Sequence, residues 1–142
     1  MQIIRGQGSI TRQEHSVITF SNTSGTVDVF TITGRVFITL ITGFCTADVV
    51  EDGAVASISL GGATDAQAFI VNTNPDDIDA NEWWADATPV GGTKQMDALQ
   101  IDVMTDEDII LTITGGTDLN SGTIEFDVIY IPLTSDGALV AP

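Results

Sequence analysis

The sequence predicts an all-β fold, an antiparallel β-sandwich, on three observations. Short runs of Val, Ile, Thr and Phe are interrupted about every ten residues by Gly, Asn, Ser or Asp, the spacing of strands and turns in a sandwich or barrel. In the last such run Ile124, Phe126, Val128 and Tyr130 alternate with Glu125 and Asp127, the period of a half-buried strand. No segment carries a sustained helical period. With 142 residues the chain suits one domain, and with Cys45 as its single cysteine the fold stands on burial, without an intrachain disulfide.

Residues 1–14 read as an N-terminal arm and 15–142 as the sandwich. The arm opens Met1-Gln-Ile-Ile-Arg-Gly and lacks the basic and then apolar stretches of a secretory leader. No run approaches the roughly 18 apolar residues of a membrane span, so a cytosolic origin is expected. The expected strands are His15–Phe20, Thr26–Thr33, Arg35–Thr42, Cys45–Val50, Ala54–Leu60, Ala68–Asn72, Met96–Met104, Asp108–Thr114 and Thr123–Leu133.

Thr33-Gly34-Arg35 has the look of a tight hairpin, because Gly34 can take the positive φ such a turn needs. Thr114-Gly115-Gly116 and Asn120-Ser121-Gly122 read the same way. Residues 73–92 break the strand pattern and form one long loop insertion, with a helical turn expected over Ala80–Ala85. The last residues, from Thr134, read as a tail. Jelly roll and other sandwich strand orders both fit this set.

Two strands are apolar on both faces, which a strand with water on one side should not be. In Arg35–Thr42 the alternation gives Val36, Ile38 and Leu40 to one face and Phe37 and Ile41 to the other. In Thr123–Leu133, Ile129 and Ile131 fall on the face of the acids. Either loops or another subunit cover these second faces, which makes Phe37, Ile41, Ile129 and Ile131 interface candidates. Trp83 and Trp84 join them as contact residues, since tryptophan is favoured at interfaces and at sugar-stacking sites; the alternative is that the pair plugs one end of the sandwich.

Charge narrows the partners. Four Lys and Arg stand against 20 Asp and Glu, a formal charge of −16. Such a chain lacks the clustered cations that nucleic acid or anionic lipid requires, so neither is an expected partner. Arg5, Arg12 and Arg35 all lie in the first 35 residues. Arg5 and Arg12 are therefore candidates for docking the arm on an acidic surface, including a neighbouring copy.

Catalytic chemistry finds little support. His15 is the sole histidine, and no serine has glycine on both sides as a nucleophile elbow requires. Cys45 paired with His15 has no local motif behind it, and one Cys with one His are too few for zinc. Asp77-x-Asp79-x-Asn81 matches the first half of a calcium loop, but Glu82 stands where a glycine turns and Thr88 where a bidentate glutamate closes. A looser oxygen site could draw on Asp76, Asp77, Asp79 or Glu82. Gly6-Gln-Gly8 lacks the third glycine of a dinucleotide fingerprint. No cofactor is expected, and a carboxylate-pair glycosidase is the enzyme alternative the many acids permit.

From Thr31 onward the order of phrases resembles small β-rich structural proteins of tailed bacteriophages. The phrases are Phe30-Thr-Ile-Thr-Gly-Arg-Val-Phe-Ile-Thr-Leu-Ile-Thr-Gly43, Ala56-Ser-Ile-Ser-Leu-Gly61, Thr112-Ile-Thr-Gly115, and Ser121-Gly-Thr-Ile-Glu-Phe-Asp-Val-Ile-Tyr-Ile-Pro-Leu133 followed by Asp136-Gly-Ala-Leu-Val140. The resemblance implies a non-enzymatic virion component: a capsid decoration, head auxiliary or spike protein. It would be made in the host cytoplasm and assembled as a homotrimer on the major capsid protein or another virion protein. The alternative is a tail-associated or host-adhesion module in which Trp83-Trp84 and the acidic loop bind carbohydrate.

Overall fold

The computed structural model describes residues 10–53, 56–96, 102–115 and 118–142. Two antiparallel sheets pack face to face. In the six-stranded sheet β1 (Arg12–Phe20) pairs with β10 (Leu119–Pro132) and β10 with β3 (Val36–Glu51). On β3's far side come β6 (Glu82–Trp84), then β7 (Val90–Gly91), while β8 (Val103–Thr105) pairs with β3 further along. The five-stranded sheet runs β11 (Ala138–Val140), β2 (Thr26–Thr33), β9 (Ile109–Thr114), β4 (Ser57–Gly61) and β5 (Ile70–Thr73). A single 3-10 turn, η1 (Pro75–Asp77), is the helical element among the described residues. None there is long and apolar enough to cross a membrane.

The core is the sum of the inward phases of both sheets. Val29, Phe30, Ile58, Leu60, Ile109 and Leu111 from one meet Val36, Ile38, Ile41, Ile124, Phe126 and Val128 from the other, all fully buried. Each such side chain contributes on the order of 1.5–3 kcal/mol of apolar burial. Strict alternation in β9 and in the middle of β10 is what allows one face of each to be wholly apolar.

Several sequence expectations change at the level of connections. Gly34 does adopt a positive φ of 64°, but β2 and β3 lie in different sheets, so Thr33-Gly34-Arg35 carries the chain across the sandwich instead of closing a hairpin. The β9–β10 connection also changes sheets, with Gly116 outside the described residues. Asn120-Ser121-Gly122 is no turn. It lies inside β10, where register shifts against β3 mark bulges, and Gly122 takes a φ of 131° with Val49 pressed against it. The expected strands Arg35–Thr42 and Cys45–Val50 are one long strand, β3.

Residues 73–92 are not a strandless loop. Asn74 caps η1 through its side chain, and β6 and β7 then form a small hairpin that extends the six-stranded sheet, with no helical turn over Ala80–Ala85. β1 begins at Arg12, so the end of the expected arm is strand. The tail contains β11, whose Leu139 is buried and exchanges hydrogen bonds with the Tyr130 hydroxyl. Met96–Met104 shortens to β8, with 97–101 outside the described residues, as are residues 54 and 55 of the expected Ala54–Leu60 strand and all of 1–9.

Candidate interaction surface

The outer face of the six-stranded sheet is built by register. β10 places Ile129 beside Leu40 and Ile131 beside Phe37 on β3, and β8 adds Met104 beside Phe37. Further along β3, Phe44 is paired with Trp83 of β6, their rings meeting edge to face at 4.7 Å. Leu40, Thr42, Trp83, Ala85, Lys94 and Met96 enclose a shallow, mostly apolar cleft of about 160 Å³. Lys94 closes its rim, tied to Asp86 at 2.5 Å and to the Thr88 carbonyl at 3.0 Å. Met104 is 73% exposed.

This assignment corrects two expected faces. Thr39 is an extra residue in β3 against β10, since Ile38 faces Tyr130 and Leu40 faces Ile129. The bulge reverses the alternation beyond it, so Ile41 turns inward and is fully buried while Leu40 faces out. The Thr39 hydroxyl donates to the Ile129 carbonyl across the bulge. Trp84 is the second correction. In a strand its side chain must oppose that of Trp83, and it lies fully buried against Phe126 with its Nε1–H donating to Thr73 Oγ1 at 2.9 Å. Phe37 and Ile129 are half-buried on the outer face, and Ile131, on the same phase, is 8% exposed.

Toward β1 the same face becomes polar. His15 Nδ1 lies 2.9 Å from Asp127 Oδ1, and Val17 and Thr19 sit opposite Glu125 and Thr123. His15 and Cys45 occupy opposite faces of the sheet, which rules out their pairing as base and nucleophile. Burial pushes the Cys45 thiol from 9.0 up to about 11, and it donates to the Ala47 carbonyl. The outer face of the other sheet is more polar: Thr26, Asp28, Thr31, Thr33, Thr114 and Ser57 stand on it beside Ile110 and Val140, while the Thr112 hydroxyl on that face is buried with no hydrogen-bond partner among the described residues.

The calcium candidates are not gathered. Glu82 accepts from the Asp79 backbone N–H, Asp48 from that of Ala80 and Asp76 from that of Glu51, while Asp77 points into solvent. Among the described residues no three acidic, His or Cys side chains converge on one point. Arg12 is exposed at the start of β1. Arg35 lines a separate cleft of about 340 Å³ with Met104, Thr105, Asp106 and Leu133. Arg5 lies outside the described residues. Elsewhere, the Thr64 backbone N–H and hydroxyl hold the Glu107 carboxyl below the usual carboxylate range, which fastens the 62–66 turn to the β8–β9 connection.

The sequence did not single out Leu40, Phe44 or Met104. Gly43-Phe44 read as a break between the strands Arg35–Thr42 and Cys45–Val50, although the apolar residues on both sides of it were the signal of a second apolar face.

No protein-family model matches this chain, and no curated protein matches it. Among solved structures, a chain of the acidic stable capsid structure of Helicobacter pylori bacteriophage KHP30 is similar at 11% identity and a TM-score of 0.41, over 93% of this chain and 99% of that one. At that distance the similarity transfers no function.

Proposed function

We propose that this chain is a non-enzymatic structural protein of a bacteriophage particle, a decoration protein that sits on the head as a symmetric homo-oligomer and contacts the major capsid protein or another virion protein. The architecture we assign is a jelly-roll-like sandwich, from the interleaving of early and late strands in each sheet. One observation carries the reading: the outer face of the six-stranded sheet presents Phe37, Leu40, Phe44, Trp83, Ile129 and Met104, while the other outer face is built mainly of threonine and serine and carries no aromatic residue among the described residues. Aromatic residues and methionine with few charges are the composition of an interface centre. The order of phrases along the sequence supports the particle in which that interface works.

The test is cosedimentation of the purified protein with phage heads assembled without it. Wild type is expected to bind. Leu40→Asp with Phe44→Asp, both on half-exposed positions, is expected to bind at least about 10-fold more weakly while keeping its β-sheet circular dichroism. Equal binding by the variant removes the face from the argument. The host-adhesion reading keeps one supporting feature, the cleft beside Trp83, and predicts glycan binding that Trp83→Ala abolishes.

A further inference from the structure

We propose that the free edge of β1 is a strand-pairing site for a second copy of this chain. Ser16–Phe20 would align antiparallel with the same residues of the partner about a two-fold axis at Ile18, joining two six-stranded sheets into one. The inference deepens the self-association proposed above, but it stands on the edge of the sheet and not on its face.

An end strand exposes a row of unpaired backbone N–H and C=O groups, and folded proteins guard such rows with short strands, bulges, charges or proline. The other edges here are guarded in this way. β7 has two residues and follows Pro89, and β5 has four with a register shift against β4. β11 has three, and β8 has three between Asp102 and Asp106. β1 departs from this pattern, with nine residues in unbroken register against β10. Its first half has a guard, because Arg12 and Glu14 stand on the inward phase. Its second half has none: Ser16, Ile18 and Phe20 point in and are buried, and Val17, 50% exposed, and Thr19 point out.

The surroundings leave room for a partner. Residues 73–92 close the opposite side of the sandwich with β6 and β7, whereas β1 lies over β2 and the short edge strand β11, with no further element beside it among the described residues. The two-fold at Ile18 sets Val17 against Thr19 and Ser16 against Phe20 of the partner, and keeps Arg12, Glu14 and His15 outside the paired stretch, so no like charges are opposed. Beyond Phe20 the chain turns away at Ser21 and Asn22, the latter at a φ of 50°, which limits the overlap to this segment.

The test combines native mass by light scattering up to millimolar concentration with backbone hydrogen exchange on the full chain. Pairing predicts twice the 14.9 kDa monomer mass and slow exchange at all five amides of Ser16–Phe20. The amides facing away from β10 should exchange about 100-fold slower than in Val17→Lys with Thr19→Lys, exposed substitutions that set like charges directly opposite each other across the two-fold. A trimer, an oligomer in which alternate β1 amides still exchange rapidly, or unchanged association of the double variant overturns the proposal. A persistent monomer that binds heads also overturns it and leaves the virion reading standing.

Discussion

Adjacent tryptophans offer the sharpest test of the strand phase. Trp84 is fully buried, packs edge to face on Phe126 at 6.1 Å and donates its indole N–H to Thr73. Trp84→Ala empties that volume, at about 3–5 kcal/mol for a buried tryptophan. The lost hydrogen bond adds about 1 kcal/mol. It adds no more because the Thr73 hydroxyl keeps its own donation to the Val71 carbonyl. Against a total stability of roughly 5–15 kcal/mol the variant is expected to be marginal or unfolded. Trp83 is half-buried, with one ring contact to Phe44 and one bond to the Gly92 carbonyl, so Trp83→Ala is expected to cost about 1–2 kcal/mol. Urea unfolding of both variants measures the difference. The tryptophan left in Trp83→Ala should emit as a buried indole. Equal destabilisation by the two substitutions, or solvent-like emission from Trp84 in the folded Trp83→Ala protein, would refute the alternation assigned to β6.

Three further outcomes follow from the core and from the bulged stretch of β10. Cys45 should resist thiol reagents in the native protein and react at the rate of unfolding, because its folded pKa of about 11 stands above the unfolded 9.0. The unfolded state releases the proton first as pH rises. The Cys45 contribution to stability should therefore be constant below about pH 9, fall by about 1.4 kcal/mol per unit toward pH 11 and level off, a slope absent from Cys45→Ala in urea titrations. Gly122→Ala forces a side chain onto a φ of 131° and within 2.8 Å of the Val49 Cα. It is expected to lose about 2 kcal/mol or more, read as a lower urea midpoint with unchanged slope.

Strand content was legible in the residues because the two-residue period is local: Ile109–Thr114 and Ile124–Tyr130 show their buried faces in the sequence alone. That β3 and β10 carry apolar residues on a second face was legible for the same reason. Which residues form that face was not. Thr39 as a bulge exchanges Leu40 and Ile41 between core and surface, and nothing in Ile-Thr-Leu-Ile marks the extra residue. It is specified by the register with β10, a partner 90 residues away at the Thr39–Ile129 hydrogen bond.

Trp83 and Trp84 separate because Glu82–Trp84 finds the free edge of β3, whereas the isolated segment, bounded by prolines and acids, reads as a loop. Gly34 and Gly115 announced turns correctly in position and wrongly in kind. A glycine's permissive φ fixes where the chain reverses, and only the packing of two sheets decides whether the reversal stays in one sheet or crosses to the other. The sequence by itself thus determined the class of the fold and the surplus of apolar surface. The tertiary structure decided which side chains carry that surplus and which strand edge is unpaired among the described residues, because both depend on long-range register that no local pattern encodes.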